Sequence, residues 1–430
     1  MANETIAIFL LLGLFIGLMV MRMPIALSVG LASIVTTIYL GLPLQMVLQN
    51  MVKGINTYSL MAVPFFILMG EIMSSGGISD RLVRLANAMV GWMHGGLAMV
   101  NIVASMLFGA VSGSSAADCA TLGPTLIPIM KQQGYDGEFA TNITMASSVE
   151  GLLIPPSHNL VIYSLAAGSV SVGALFMAGI IPGIFLGVCL MIYSYIMAIK
   201  KKYPVGDKFT IKEAWAAFRG AFWGMLTIVI VVIGVCTGFI TATEAAALAV
   251  LWSIFVTFVI YREVPFSKFP EMLLKAVKTL AMIMILISTS TAFGWLLAYL
   301  KVPEIITNGI YSISSNPIII MLIINVMLLF MGMVMDMSSI ILIVTPILLP
   351  IVTGLGYSPV HFGVIMVLNL GIGLLTPPVG STLFIGSAVS GIKLERLAVT
   401  MIPIYMVMIA CLMLITFIPA ISMTLPNLMM

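Results

Sequence analysis

Two stretches of this 430-residue chain, 109–160 and 331–382, align with each other without a gap at an offset of 222 residues. In both, a glycine-containing segment with serine and aspartate precedes two prolines, a Gly-Tyr pair and a Gly-Leu-Leu-x-Pro-Pro motif. The residues of the first stretch with an identical counterpart in the second include Pro124, Pro128, Gly134, Tyr135, Gly151, Leu152, Leu153, Pro155 and Pro156. Repetition at roughly half the chain length predicts two halves that share one ancestor and one structural plan.

The composition restricts the environment in which such a plan can fold. Hydrophobic residues make up 61% of the chain and charged residues only 8%, whereas a soluble domain carries roughly 25% charged residues. Apolar runs recur along the whole chain and reach about 20 residues, which is long enough to cross the hydrocarbon core of a bilayer. The sequence therefore predicts an all-α polytopic membrane protein without a soluble domain. The net charge of +3 is too small to indicate a nucleic-acid partner.

The motifs that would indicate an enzyme or an ATP-driven pump are missing from the sequence. It has no His-Glu-x-x-His, no paired catalytic carboxylates, no nucleophile with a base and no Walker loop. The four cysteines, Cys119, Cys189, Cys236 and Cys411, are unclustered and lie in apolar runs, which argues against disulfides and metal centres. We therefore predict no enzymatic activity and no organic cofactor.

Lysine and arginine indicate which ends of the spans face the cytoplasm, where positive charge collects. The predicted spans are 5–22, 24–41, 60–76, 172–198, 221–240, 243–261, 280–298 and 397–420. The most basic loop contains Lys200, Lys201, Lys202, Lys208, Lys212 and Arg219 and is placed inside. Arg22 ends the first span inside, and that span lacks a basic segment before it, so it is predicted to be retained and not cleaved as a signal. Both termini are then outside.

Two further pairs of apolar arms, 95–131 and 316–353, are each interrupted by a short polar tip. Either the arms span the membrane fully and the tip is an ordinary loop, or they form a re-entrant helical hairpin with its tip at mid-depth. Charge does not separate these alternatives. Along the predicted path the two hairpins open to opposite sides, so that 1–210 and 211–430 form an inverted repeat. This arrangement is typical of secondary transporters.

Each half also has a long apolar segment, 139–170 or 360–390, that a Pro-Pro pair interrupts. Proline donates no backbone hydrogen bond and clashes with the preceding turn, so both segments are predicted to be broken helices. Unwound backbone is tolerated in a membrane only inside protein or beside a water-filled cavity. The carbonyls freed around Gly151, Ile154, Ser157, Gly373, Thr376 and Val379 are suited to a hard cation such as sodium. The half-helices that follow have positive N-terminal ends, which suit an anionic substrate.

The polar and ionisable residues in apolar runs each have a functional and a structural interpretation. Asp118 and Asp336 either cap the returning hairpin arms or belong to the site. Glu150 is a functional candidate, whereas Glu71 and Glu244 are expected to lie at the interface or to have a buried partner. His158 either titrates or only forms a hydrogen bond. The run 288–291 either lines a cavity or bonds back to its own helix.

Four motifs together resemble the large membrane subunit of tripartite ATP-independent periplasmic (TRAP) transporters. They are Gly109-Ala-Val-Ser-Gly-Ser-Ser-Ala-Ala-Asp118, Ile154-Pro-Pro-Ser157, Met335-Asp-Met-Ser-Ser339 and Leu375-Thr-Pro-Pro-Val-Gly-Ser381. The resemblance covers nearly the whole chain. It implies a sodium-driven symporter for organic acid anions such as C4-dicarboxylates or sialic acid, located in the bacterial inner membrane. It also implies a scaffold domain, and an elevator domain made of both hairpins and both broken helices.

The resemblance further implies two partners, a small four-helix membrane subunit and a periplasmic substrate-binding protein. Within this framework we predict at least two sodium sites and a substrate site between them. Sodium site 1 is assigned to Ala110, Ser112, Gly151, Ile154 and Ser157, and sodium site 2 to Gly332, Gly373, Thr376 and Val379. The substrate site is assigned to Ser114, Ser115, Asn159, Ser338, Ser339, Ser381 and Thr382.

Overall fold

The structure is a computed structural model that describes residues 2–168, 170–206 and 210–429. Within these ranges the chain is all-helical and has no β-strand. Asp207 and Lys208 of the basic loop lie outside the described residues.

The helices of the first half are α1 Ala2–Val20, α2 Ile25–Tyr39, α3 Leu44–Ile55, α4 Ala62–Ser75, α5 Ile78–Val90, α6 Gly96–Ser112, α7 Ser115–Gln132, α8 Gly137–Ser148, α9 Glu150–Leu153, α10 His158–Ala166 and α11 Val172–Lys201. Those of the second half are α12 Ile211–Cys236, α13 Ala242–Phe255, α14 Phe269–Tyr299, α15 Val302–Ile313, α16 Pro317–Gly332, α17 Met337–Gly354, α18 Pro359–Gly373, α19 Ser381–Ser390, α20 Leu394–Thr400, α21 Ile402–Phe417 and α22 Ala420–Met429. A π-helical segment, Val256–Tyr261, continues α13.

Helix length and hydropathy agree with a multi-pass membrane protein. By these two criteria alone, five helical segments of the described chain suit a membrane crossing, and two bent helix pairs would raise the number to seven. Several further apolar helices are shorter, as expected for hairpin arms and half-helices. One predicted hairpin arm, α17, is itself long enough to cross, so the choice between a spanning and a re-entrant second hairpin stays open.

Some helices extend beyond the predicted spans. The helix predicted at 280–298 begins at Phe269, and the one predicted at 221–240 begins at Ile211. Both extensions carry lysines, which interrupt an apolar run but are good helix formers. The last predicted span, 397–420, is divided into α20, α21 and α22, with a bend of 55° between the first two. The sequence analysis had not predicted helix α15.

One group of helices is built around α14, which packs against α2, α3 and α4, while α13 packs against α4. The polar run 288–291 lies in α14. Thr289 and Thr291 each donate a hydrogen bond to a carbonyl of their own helix, at 3.0 and 2.8 Å. Ser288 instead donates to the Met51 carbonyl of α3, at 3.1 Å. The back-bonding interpretation is therefore confirmed for the two threonines, and Ser288 joins two helices.

A second group contains the two predicted hairpins and the two predicted broken helices. Its pairing crosses the halves: α10, which follows the first Pro-Pro pair, packs against α17, and α19, which follows the second, packs against α7. Helix α11 packs along this group and along α21 and α22. The half-helix of each half therefore packs against a hairpin arm of the other half.

Four ion pairs join charged residues that are distant in sequence. The ion pairs are Arg81–Glu263 at 2.7 Å, Arg396–Glu138 at 2.6 Å, Lys275–Glu71 at 3.8 Å and Lys201–Asp136. The Lys201 ammonium, assisted by the Tyr203 hydroxyl, holds the pKa of the Asp136 carboxyl below its ordinary value. Three of these four pairs, those of Arg81, Arg396 and Lys275, join the first half of the chain to the second.

Candidate functional site at two helix breaks and a hairpin tip

The first helix break lies between α9, which ends at Leu153, and α10, which begins at His158. Pro155 and Pro156 occupy the positions that would donate to Gly151 and Leu152 in a continuous helix, and proline has no N–H. The Ser157 hydroxyl replaces one of these donors by binding the Leu152 carbonyl at 2.6 Å. Gly151 O loses its helical donor, which makes it available to another ligand.

The second break lies between α18 and α19, and the equivalent carbonyls lose their donors to Pro377 and Pro378. The Leu374 carbonyl is satisfied by the Thr382 amide at 3.2 Å. The next carbonyl, Leu375 O, accepts the Tyr405 hydroxyl at 2.6 Å. Both predicted breaks are therefore confirmed as interruptions of a helix. The Pro155–Pro156 and Pro377–Pro378 peptide bonds are both cis.

A pair of glycines brings each break against its own hairpin. A Cβ atom added to Gly373 would lie 2.6 Å from the Gly332 Cα, and one added to Gly151 would lie 2.5 Å from the Gly109 Cα. Both distances are shorter than a carbon contact allows, so only glycine permits the two backbones to approach this closely. The close approach also brings the carbonyl oxygen of each hairpin glycine to the break, since the added Cβ would lie 3.3 Å from Gly109 O in the first half and 3.0 Å from Gly332 O in the second.

The residues assigned to sodium site 1 are gathered around this contact in the first half. Ala110 follows Gly109 directly, and Gly109 packs on Gly151. The tip that follows Ser112 lies over the break, since a Cβ on Gly113 would be 3.1 Å from the Pro156 carbonyl oxygen. Ile154 and Ser157 flank the two prolines of the break. The structure thus places all five assigned residues in one region, and their role as ligands stays a prediction.

The residues assigned to sodium site 2 are also neighbours. Gly332 packs against Gly373, whose carbonyl accepts the Thr376 amide at 2.9 Å. The Val379 amide donates to the Met333 carbonyl at 3.0 Å, and this hydrogen bond links the break to the end of α16. The Thr376 hydroxyl donates to the Ile372 carbonyl at 2.9 Å. A hydroxyl both donates and accepts, so a donated hydrogen bond is compatible with the predicted role of this oxygen as a cation ligand.

The residues assigned to the substrate fall into two sets. Ser115 contacts Thr382, with 3.0 Å between the hydroxyl oxygens, which brings the first hairpin tip to the start of α19. Asn159 Nδ2 donates to the Gly113 carbonyl of the same tip at 3.5 Å. Ser114 and Ser381 are the sequence neighbours of the first pair. Ser338 and Ser339 lie on α17, against which α10 packs, and no hydrogen bond within the described residues joins them to the other five.

The two aspartates next to the hairpin tips have different roles. Asp336 is the N-cap of α17, and its carboxylate accepts the Ser338 amide at 3.0 Å. For Asp118 the capping interpretation is wrong, because Ser114 is the N-cap of α7 and accepts the Ala117 amide at 3.3 Å. Serine and aspartate are equally good caps, and the tip Ser-Gly-Ser-Ser provided a capping residue closer to the turn.

Asp118 and Glu150 are fully buried, and none of their four carboxyl oxygens has a hydrogen-bond partner in the described part of the chain. The equivalent positions in the second half are Ile340 and Ile372. The other two acidic candidates have partners, but these are exposed, so the prediction of a buried partner is wrong for both and the interfacial position stays a prediction. Glu71 pairs with Lys275, and Glu244 accepts the Thr241 amide at 2.8 Å in the capping box that begins α13.

Sequence reasoning missed two residues at the site. Ser148 of α8 contacts Ser115 with 2.6 Å between the hydroxyl oxygens, and Tyr405 of α21 satisfies a carbonyl of the second break. Neither lies in a repeated motif. Ser148 is one of several serines in an ordinary helix, and Tyr405 is 30 residues from its partner, so no sequence signal connected them to the site.

The family described as the DctM component of the tripartite ATP-independent periplasmic transporter matches residues 12–421. This chain belongs to the DctM family. The resemblance found in the four sequence motifs is therefore confirmed.

Relatives of the DctM family match over almost their entire length. The chain is 36% identical to the C4-dicarboxylate TRAP transporter large permease protein DctM of Rhodobacter capsulatus, over 98% of this chain and 99% of the relative. It is 37% identical to the sialic acid TRAP transporter large permease protein SiaM of Vibrio cholerae, over 96% and 97%. It is 41% identical to the protein YgiK of Salmonella typhimurium, over 98% and 97%.

A solved structure shares the fold of this DctM-family chain. It is the YdaH transporter of Alcanivorax borkumensis, with a TM-score of 0.64 over 96% of this chain and 97% of the other. At 12% sequence identity the likeness concerns the fold alone. The chain is thus a large permease component of a transporter family, with the helical fold of a membrane transporter, and such components are not enzymes.

Proposed function

We propose that this chain is the membrane permease of a sodium-coupled symporter that imports an organic acid anion by an elevator mechanism. The observation that carries the proposal is the meeting of the two helix breaks with the two hairpins, each break against its own hairpin through a glycine pair. Carbonyls that have lost their helical donors suit a hard cation. The half-helix ends beside them suit an anion.

The reciprocal packing supports an inverted repeat within a single moving unit. Helices α10 and α17 pack together, as do α19 and α7, so neither half-helix is complete without the other half. We infer that hairpins 95–131 and 316–353 and broken helices 139–170 and 360–390 move together as the elevator domain. The group around α14 would be the scaffold against which they move.

The substrate class is proposed from the relatives and from the site. Relatives of this chain are named for C4-dicarboxylates, sialic acid and 2,3-diketo-L-gulonate, all of which are carboxylic acids. Ser114, Asn159 and Ser381 offer donors near two positive half-helix ends. We place the substrate between the two sodium sites, in contact with side chains of this set.

Transport should require partners. We propose a small four-helix membrane subunit and a periplasmic binding protein that delivers the acid, since TRAP permeases are named as parts of a tripartite system. The bacterial inner membrane, with both termini in the periplasm, is the location that fits this assembly and the positive-inside rule.

Reconstituted transport tests the proposal. We expect solute uptake into proteoliposomes only with the small subunit, a loaded binding protein and an inward sodium gradient. Two or more sodium ions with a monovalent anion carry net positive charge, and each charge gains about 2.3 kcal/mol per 100 mV of inside-negative potential. A potassium diffusion potential, negative inside, should therefore accelerate uptake of a monovalent acid, and uptake of a dianion if more than two sodium ions accompany it. Omission of each component is the control, and robust uptake of free solute by this chain alone, without sodium, would contradict the proposal.

The topology has a test of its own. Cysteines introduced at Lys200 and Arg219 should react with a membrane-impermeant thiol reagent only from the cytoplasmic side, and a C-terminal tag should be accessible only from the periplasm. A cysteine at Gly41 is the matched control, because the predicted path places the 41–43 turn outside. Labelling of positions 200 and 219 in intact cells would contradict the predicted path of the chain through the membrane.

A further inference from the structure

The first hairpin tip and the second helix break are joined by three buried hydroxyl groups. Ser115 lies 2.6 Å from Ser148 and 3.0 Å from Thr382, measured between hydroxyl oxygens. The exposed fractions of the three residues are 1%, 0% and 0%, respectively. They come from α7, α8 and α19, so the cluster connects the hairpin and the broken helix of the first half to the half-helix of the second half.

The direction of the hydrogen bonds in this cluster follows from proton counting. Ser148 Oγ lies 2.7 Å from the Met145 carbonyl oxygen, which only accepts. Since a hydroxyl has one proton, Ser148 donates to that carbonyl and must accept from Ser115. Ser115 in turn must accept from Thr382. The result is a directed chain from the start of α19, through the hairpin tip, to the backbone of α8.

The same positions in the other half are apolar. At the offset of 222 residues, Ser115 corresponds to Met337, Ser148 to Leu370 and Thr382 to Leu160. The register is the structural one, because Ser114 and Asp336, which correspond at this offset, are the N-caps of α7 and α17. None of the three equivalent positions carries a hydroxyl group, so the hydrogen-bonded cluster belongs to one of the two equivalent junctions only.

The sequence neighbours of the cluster indicate its role. Ser114 precedes Ser115 and Ser381 precedes Thr382, and both neighbours are less buried than the cluster and belong to the predicted substrate site. A hydrogen bond between buried partners has a defined length and direction. Holding Ser115 to Thr382 thus sets the separation between the hairpin tip and the N-terminal end of α19.

We propose that Ser148 is a positioning residue of the transport site, which acts through Ser115 to hold the first hairpin tip against the start of α19. Ser148 does not contact substrate or sodium in this proposal. The assignment rests on the proposed function for its consequence in transport, whereas the cluster itself can be tested without any substrate.

The test compares hydrogen–deuterium exchange of the full chain in lipid nanodiscs, with peptides that cover the tip at 110–120 and the second hairpin tip at 332–342. In Ser148→Ala and in Thr382→Val, amides at the first tip should exchange about fivefold faster, the effect of losing one buried hydrogen bond of about 1 kcal/mol. The second tip should not change. Thr382→Ser keeps the donor and should restore the slow exchange.

Thr37→Val is the matched control, since Thr37 is buried and its hydroxyl bonds only to its own helix, at 2.7 Å from the Ser33 carbonyl oxygen. It should leave both tips unchanged. In the double variant Ser148→Ala with Thr382→Val, the two effects should be less than additive because the residues belong to one chain of bonds. Unchanged exchange at the first tip in both single variants, or an equal rise at both tips, would overturn the proposal.

A sodium titration separates this proposal from the proposed function. In the wild type, sodium should slow exchange at the first tip. The sodium concentration that gives half of this effect should rise about fivefold in Ser148→Ala. It should also rise in Thr382→Val and return to the wild-type value in Thr382→Ser. If sodium changes exchange in none of the variants, the proposal of sodium coupling is wrong. The comparison without sodium still shows whether the three hydroxyl groups hold the first tip. If the tip loosens but its sodium response is unchanged, the cluster is only structural and the positioning role is wrong.

Discussion

Replacing Pro377 and Pro378 together with alanine should raise the sodium concentration needed for half-maximal uptake by about tenfold or more. Alanine supplies the N–H groups that proline lacks, so the helix can continue from Gly373 and its carbonyl returns to a helical hydrogen bond. Losing one cation ligand that contributes about 1.4 kcal/mol changes an affinity tenfold. Thr376→Ala should have a smaller effect in the same direction, because it removes a hydroxyl and leaves the break intact.

The measurement is sodium-dependent uptake in proteoliposomes that contain the complete system. Pro346→Ala together with Pro350→Ala is the matched control, since these prolines lie inside the uninterrupted helix α17 and no break depends on them. Normal sodium dependence in the Pro377 and Pro378 double variant would mean that the prolines only shape the packing. The assignment of sodium site 2 would then be wrong.

The helix breaks could be located from sequence because their cause is local. A proline removes a donor wherever it stands, and the Pro-Pro pairs at 155 and 377 interrupt helices within a few residues of the predicted positions. The N-terminal ends of α12 and α14 were less predictable, because both helices begin in a lysine-containing segment before the apolar run. Apolar length estimates the membrane-crossing part of a helix and not its full extent.

The contacts between the halves were not available from the sequence. The repeat predicts that both halves have the same elements, but it does not state that α19 packs on α7, or that Ser115 meets Thr382. Ser148 sits in no motif and became a candidate only through its distance to Ser115. Such contacts depend on how helices are packed in three dimensions, whereas proline and glycine positions depend on the backbone of a few residues.

Gly373→Ala should reduce stability and transport more than any other glycine-to-alanine substitution in the second half. The new Cβ would lie 2.6 Å from both the Cα and the carbonyl carbon of Gly332. Both are backbone atoms that no rotamer change can move, so α16 and the break must separate. Inserting a methyl group into a well-packed interior costs about 1–3 kcal/mol, and we expect a lower unfolding temperature in detergent together with loss of sodium-dependent uptake.

Gly294→Ala is the control for this variant, because Gly294 lies in α14 and its added Cβ would meet nothing within 4 Å apart from the backbone of its own helix and its chain neighbours. Alanine is favoured over glycine in a helix by about 1 kcal/mol, so Gly294→Ala should unfold at the same or a higher temperature. Gly151→Ala repeats the test in the first half, where the new Cβ would be 2.5 Å from the Gly109 Cα. If Gly373→Ala unfolds like Gly294→Ala and keeps its sodium dependence, then the hairpin and the break do not meet at these glycines, and the carbonyls assigned to sodium site 2 are not gathered there.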